Sequence, residues 1–138
     1  MSSNYFHYPI EVRFRDLDAL GHVNNAVFLT YLESARVRWC QSCNFIQKDI
    51  ENFSIIQART EVDYLLPVKF ATSIKVKLWV SHIGTKSFTV SYLIENDQNQ
   101  YLKAKTVLVW FDYSTQKSIP IPQNHKTTLQ NYFTSKEN

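Results

Sequence analysis

The stretch Arg13-Phe14-Arg15-Asp16-Leu17-Asp18-Ala19-Leu20-Gly21-His22-Val23-Asn24-Asn25 gathers two carboxylates, a glycine, an imidazole and two carboxamides. The residues after it read as a helix, so the stretch is a loop that delivers acids to a helix N-terminus. The first turn of a helix has N–H groups without acceptors inside the helix. The macrodipole adds about half a positive charge at that end. A carboxylate held there is stabilised as an anion, the form in which it acts as base or nucleophile. An ionised aspartate beside free N–H donors is a minimal apparatus for acyl transfer, one group activating the attack and the other holding the oxyanion. The same residues also have a plainer reading, in which Asp16 and Asp18 only satisfy backbone donors in a turn.

Other candidate chemistry is thinner. The chain has two glycines, Gly21 and Gly84, so the glycine-rich phosphate loops of dinucleotide and nucleoside-triphosphate sites cannot be built. Each glycine is expected where the backbone needs positive φ or close approach. Cys40 and Cys43 form a C-x-x-C, but no strand runs into them and no second pair exists. They read as two small apolar residues on one helical face. His7, His22, His82 and His125 lack ligand spacing, so no metal is expected. Glu33 and Arg36, spaced i,i+3, are expected to pair on the helix.

The elements that must position the loop follow from period. Ile10, Val12 and Phe14 alternate with Glu11 and Arg13, which predicts a half-buried strand over 10–14. Asn24 and Asn25 sit at a helix start, where Asn is a good N-cap. From Ala26 to about Cys43 there is no Gly or Pro. Phe28, Leu32, Ala35, Trp39 and Cys43 share one face, Leu29 and Cys40 flank it, and Thr30, Ser34, Arg38 and Gln41 form a narrower polar stripe. The wide apolar arc predicts a helix wrapped by other structure, about 27 Å long. After a polar linker, Gln47 to Asn52, the period becomes two. Strands are predicted over Ser54–Leu66, from Ile74 through Val80, over Phe88–Ile94 and over Tyr101–Phe111. They are separated by Pro67, Gly84 and the Asn96-Asp97-Gln98-Asn99 turn. A short helix is predicted from Gln123 to Phe133, with Thr134 to Asn138 as a frayed tail. Strand, long helix and four strands make an α+β domain, an antiparallel sheet of about five strands curled around one central helix.

Length and charge agree. The chain has 138 residues, one domain by size, and a chain this long buries roughly 68% of its unfolded surface. The net charge of +3, from 15 basic and 12 acidic side chains, is too mild to imply nucleic acid and suits an anionic small molecule. No apolar run is long enough to span a membrane. The first residues carry no basic and apolar leader, so a cytoplasmic protein is expected.

The block Asp16-Leu17-Asp18-Ala19-Leu20-Gly21-His22-Val23-Asn24-Asn25, followed by Phe28, Tyr31, Glu33 and Arg36, resembles the hot-dog-fold acyl-CoA thioesterases of the 4-hydroxybenzoyl-CoA thioesterase-like family. The resemblance covers almost the whole chain, 1–138. It implies a hot-dog domain that hydrolyses an acyl-CoA to free acid and CoA, with no metal or redox cofactor. Asp18 matches the family's catalytic carboxylate and Asp16 a structural position. Asn25 matches the residue whose backbone N–H polarises the thioester carbonyl. Gly21 matches the glycine that brings the loop close to substrate. His22 could orient substrate or water, although a loop-structuring role is favoured. Gly84-Thr85-Lys86-Ser87-Phe88 resembles the turn that contacts CoA, with Lys86 and Ser87 the best match and Thr85 where some relatives carry Arg. Phe28 stands where relatives often carry Tyr; it could line an acyl pocket. The family implies active sites between paired subunits, hence a homodimer or a homotetramer built as a dimer of dimers. The rival expectations are an acyl carrier protein donor, a non-catalytic acyl-ligand-binding protein, and hydration of an acyl-CoA.

Overall fold

The computed structural model describes residues 4–46 and 53–135. Strand β1 (Phe6–Ile10) leads through a single 3-10 turn at Phe14–Asp16 to helix α1 (Asn25–Ser42). Strands β2 (Ile55–Tyr64), β3 (Ile74–Ile83), β4 (Ser87–Glu95) and β5 (Gln100–Asp112) follow, then the two-residue β6 (Lys117–Ser118) and helix α2 (Gln123–Asn131). The strands form one antiparallel sheet in the order β1-β3-β4-β5-β2, with β6 paired to the end of β5.

Alternation builds the core. Ile74, Val76, Leu78 and Val80 of β3, Phe88, Val90, Tyr92 and Ile94 of β4, and Leu102, Leu108 and Trp110 of β5 are buried. Phe28, Leu32, Ala35 and Trp39 of α1 belong to the same core. The helix begins where Asn24 accepts the Ala26 N–H on its side chain at 2.8 Å. It ends at Asn44, which adopts φ 60°. The Asn44 N–H reaches the Gln41 carbonyl at 3.1 Å and the Phe45 N–H the Cys40 carbonyl at 3.0 Å. That is a Schellman ending with Asn in the place Gly usually takes. Phe45 then packs edge-on against Trp39, with centroids 5.6 Å apart.

Several expectations need correction. The first strand is Phe6–Ile10, not 10–14, because its partner β3 begins at Ile74, opposite Ile10. Beyond that point no neighbour is left to pair with. Val12 is still buried, but Phe14 is 78% exposed. The helix is covered on one side only, with Leu29, Thr30, Glu33 and Gln41 exposed. The short β6 went unanticipated, since two residues carry no readable period. The linker expected over 47–52, and the last residues of the tail, lie outside the described residues.

Both cysteines are free and buried. Burial raises the Cys40 thiol to about 12 and the Cys43 thiol to about 11, so neither is a thiolate near neutrality. Native protein at pH 7 should resist an alkylating reagent at both sulfurs and react promptly only in denaturant. Rapid native labelling, followed by mass spectrometry, would contradict this. Trp39, fully buried between Phe45, Phe88 and Tyr132, should cost about 3–5 kcal/mol when changed to alanine, measurable by urea denaturation.

Candidate active site

Asp16 organises the loop. It is 1% exposed and accepts four hydrogen bonds. The Arg13 N–H donates to Oδ2 at 3.0 Å, the Arg13 guanidinium to Oδ1 at 3.2 and 3.0 Å, and the Tyr31 hydroxyl of α1 to Oδ2 at 2.7 Å. Burial alone would lift this carboxyl. The Arg13 N–H, the Tyr31 hydroxyl and the guanidinium outweigh it and hold Asp16 below the usual carboxylate value. Burial, then the hydrogen bond to Asp16 and its charge, pushes the Tyr31 hydroxyl above its ordinary value. The backbone is tied as well, since the Asn24 N–H donates to the Asp16 carbonyl at 2.9 Å.

Between these anchors the chain makes a narrow hairpin. Leu17 and Val23 bridge across it. The Asp18 N–H reaches the His22 carbonyl at 2.7 Å and the Gly21 N–H the Asp18 carbonyl at 3.0 Å. Gly21 takes φ +79°, and nothing lies within 4 Å of where a Cβ would sit. The glycine is therefore required by backbone handedness, not by space. Asp18 itself is exposed. Its Oδ1 accepts from the Leu20 N–H at 2.9 Å and the His22 N–H at 3.2 Å, and among the described residues Oδ2 has no partner. One oxygen holds the loop and the other faces outward. His22 is half-buried, with its backbone bridged to Lys69.

The helix start leaves one donor open. The Ala26 N–H is taken by the Asn24 side chain, and the Val27 and Phe28 N–H groups by the Asn24 carbonyl at 2.9 and 3.4 Å. Among the described residues nothing accepts from the Asn25 N–H, which is the helix's first. Tyr64, at the end of β2, donates its hydroxyl to the Asn25 carbonyl at 3.1 Å. Its ring leans on Phe28, with centroids 5.9 Å apart. Phe28 is 3% exposed and packs edge-on against Tyr31.

Asp18, Gly21, His22 and Asn25 thus share one end of α1, but Thr85, Lys86 and Ser87 do not join them. These residues form the β3–β4 turn, where the Gly84 N–H meets the Ser87 carbonyl at 2.8 Å. A Cβ on Gly84 would come within 3.1 Å of that carbonyl, the close approach expected of this glycine. The carbonyls of Thr85 and Lys86 accept from Ile121 and Trp110, both at 2.9 Å. Phe88, next to this turn, touches Trp39 near the C-terminal end of α1. Within one chain the two groups are therefore separated by most of a helix about 27 Å long. A broad concavity of about 560 Å³, lined by Arg59, Trp79, Lys103 and Lys105 among others, lies on the helix-free face of the sheet.

Sequence reasoning assigned no role to Tyr64, which meets Asn25 across 39 positions, nor to the Arg13 clamp. No local pattern marks either one. The expected Glu33–Arg36 ion pair is not made. Arg36 turns inward instead and donates to the Tyr92 hydroxyl at 3.2 Å, because that buried oxygen lies beneath the helix. Among the described residues no group of three His, Cys, Asp or Glu side chains could hold a metal ion. No helix there is long and apolar enough to cross a membrane.

Comparison with known proteins gives the class. Residues 12–129 match the model of the thioesterase-like superfamily, and the chain belongs to that family. Its fold and family are those of the hot-dog thioesterases, enzymes that hydrolyse thioesters. A thioesterase from Thermus thermophilus, solved with coenzyme A and Zn, is 35% identical. The match covers 90% of each chain with a TM-score of 0.79. A predicted thioesterase from Bacillus stearothermophilus shares the fold at a TM-score of 0.91 and 22% identity, over 97% of this chain and all of the other. The acyl-CoA thioesterase YbgC of Haemophilus influenzae is 23% identical over 94% of this chain and 97% of its own length.

The Asp16 clamp makes a stability prediction. Its folded-state pKa is depressed, so its contribution is complete above the unfolded carboxyl value near 4 and fades as pH falls through the lower folded value. Asp16→Asn should lose about 1.5–3 kcal/mol at pH 7. It should also show a shallower loss of stability on acidification than the parent. Parallel acid limbs in urea titrations at several pH values would contradict it.

Proposed function

We propose that the chain hydrolyses acyl-CoA thioesters. The observation that carries this reading is the N–H of Asn25 at the start of α1, without an acceptor among the described residues, beside a loop that presents the outward oxygen of Asp18. A thioester carbonyl oxygen bonded to that N–H gains the helix dipole as well. One such donor is worth about 3–4 kcal/mol once the oxygen becomes an anion. Asp18 either takes a proton from water as the water attacks, or attacks the carbonyl carbon itself and is released by water in a second step. In both cases the C–S bond breaks, an oxygen of water ends on the acyl carbon and the proton ends on the CoA sulfur. The reaction is complete without metal or redox cofactor.

Assembly completes the site. One subunit cannot bring Asp18 and Lys86 together, so the β3–β4 turn of a second copy would supply Thr85, Lys86 and Ser87 to the CoA. The open edge of β2 and the one-sided cover of α1 favour such pairing. A homodimer, or a dimer of dimers, is the assembly that fits. His22, beside Asp18, would order the loop, and Phe28 would back the first helical turn behind the acyl carbon.

Thiol release from short, medium, long and aromatic acyl-CoAs is the test, with Asp18→Asn assayed alongside. Asn keeps the oxygen that holds Leu20 and His22, so the variant should fold as the parent does. Its kcat should fall by about 10²–10⁴-fold with an unchanged melting temperature. Full activity in the variant would remove Asp18 from the mechanism. Binding of every thioester without turnover would make the protein an acyl-ligand binder instead.

A further inference from the structure

The amide of Asn25 sits in the first turn of α1, and helix ends fray. The Asp16 clamp reaches this turn through Asn24, whose N–H donates to the Asp16 carbonyl at 2.9 Å and whose side chain accepts from the Ala26 N–H. Asn24 precedes the amide. Beyond it the hold is weaker. The Asn24 carbonyl is shared between the Val27 N–H at 2.9 Å and the Phe28 N–H at 3.4 Å. The second of these is the first regular i→i−4 bond of the helix, and it is stretched.

Tyr64 supplies a tie from the sheet at this point. Its backbone is fixed. It forms the last rung of β2, opposite Leu102, and the next two N–H groups, of Leu65 and Leu66, both donate to the Tyr101 carbonyl, at 2.9 and 3.2 Å. Its ring leans on Phe28, which is itself buried. A tyrosine has two side-chain torsions, so a ring held at its base and along its face places its oxygen closely. That oxygen donates to the Asn25 carbonyl at 3.1 Å. The same carbonyl accepts the Leu29 N–H in the α-helical pattern, and its second lone pair takes the phenol. The bond therefore fastens the residue with the open amide to the edge of the sheet. Tyr64 is 44% exposed, and a hydrogen bond at the surface replaces one made to water and adds little to folding. Its effect is on position. Donor and acceptor belong to one chain, so the tie is the same whether or not a second copy covers the edge of β2.

We propose that Tyr64 is a positioning residue, whose hydroxyl holds the first turn of α1 so that the Asn25 N–H meets the thioester oxygen as it becomes an anion. The chemistry rests on the thioesterase reading; the hold on the helix does not. Tyr64→Phe keeps the ring on Phe28 and removes only the donor, so it should fold and melt as the parent does. A misplacement on the order of 1 Å at a reacting group costs about a hundredfold in rate, so kcat on the best acyl-CoA should fall by about ten- to a hundredfold. KM should hardly move, because the lost alignment matters most in the transition state. The second measurement is the infrared band of a carbon-13-labelled thioester carbonyl, bound to Asp18→Asn to slow turnover. Adding Tyr64→Phe should raise its frequency, as the hydrogen bond from Asn25 weakens. The third is amide hydrogen exchange in the ligand-free protein. Tyr64→Phe should speed the Phe28 and Leu29 amides by about threefold or more and leave those of Leu32 and Ala35 unchanged. A parent-like kcat, an unmoved carbonyl band or unchanged exchange would overturn the proposal and leave thioester hydrolysis standing. So would a loss of rate that comes with a lowered melting temperature, which is the mark of a purely structural role. If the parent turns over no thioester, the reading of function fails instead, and the exchange rates alone decide whether Tyr64 holds the helix start.

Discussion

The buried carboxylate of Asp16 is the constraint on which the site depends. It joins three pieces of chain that have no other reason to keep a fixed relation. These are the exit of β1 through Arg13, the hairpin loop through its own backbone, and the first turns of α1 through Tyr31. A charge this deeply buried is tolerated only because its hydrogen bonds are nearly saturated. That saturation gives the clamp its directionality. Once Asp16 is held, Asn24 is held through its N–H, and the Asn24 side chain and carbonyl then occupy the donors that follow Asn25. The open amide at position 25 is thus a consequence of how the capping is distributed.

The loop uses its second aspartate differently. Asp18 spends one oxygen on its own hairpin and leaves the other exposed. A carboxylate with both oxygens engaged would be a structural element only, and one with neither engaged would be poorly oriented. The division between Asp16, which is enclosed and donor-rich, and Asp18, which is exposed and half-committed, assigns two roles to two chemically identical side chains through environment alone. It also reconciles the two readings of the loop. Capping and the proposed catalytic geometry draw on the same set of hydrogen bonds.

Much of this was legible in the residues. Asn24 as a cap, the absence of Gly and Pro through Ser42, and the spacing of Phe28, Leu32, Ala35 and Trp39 define α1. Alternation marks β3 and β4, and Tyr101 to Phe111 reads as one long strand. The first strand was misplaced because apolar alternation runs without a break from Phe6 through Phe14. Only the start of β3 decides where pairing stops, and no local pattern records it. Arg36 was misassigned for a related reason. Its i,i+3 neighbour Glu33 is visible in sequence, whereas its actual partner Tyr92 is 56 positions away. Tyr64, which steadies the Asn25 carbonyl, is hidden in the same way. Local rules find elements and caps. They do not find side chains whose role is set by the packing of helix on sheet.

The most direct measurement is a crystal structure of the assembled protein with a non-hydrolysable acyl-CoA analogue. The account predicts the carbonyl oxygen about 2.7–3.1 Å from the Asn25 nitrogen. The free Asp18 oxygen should face the acyl carbon, directly or through one water. An analogue bound with its carbonyl turned from the start of α1, or with Asp18 pointing away from the acyl carbon, would contradict it.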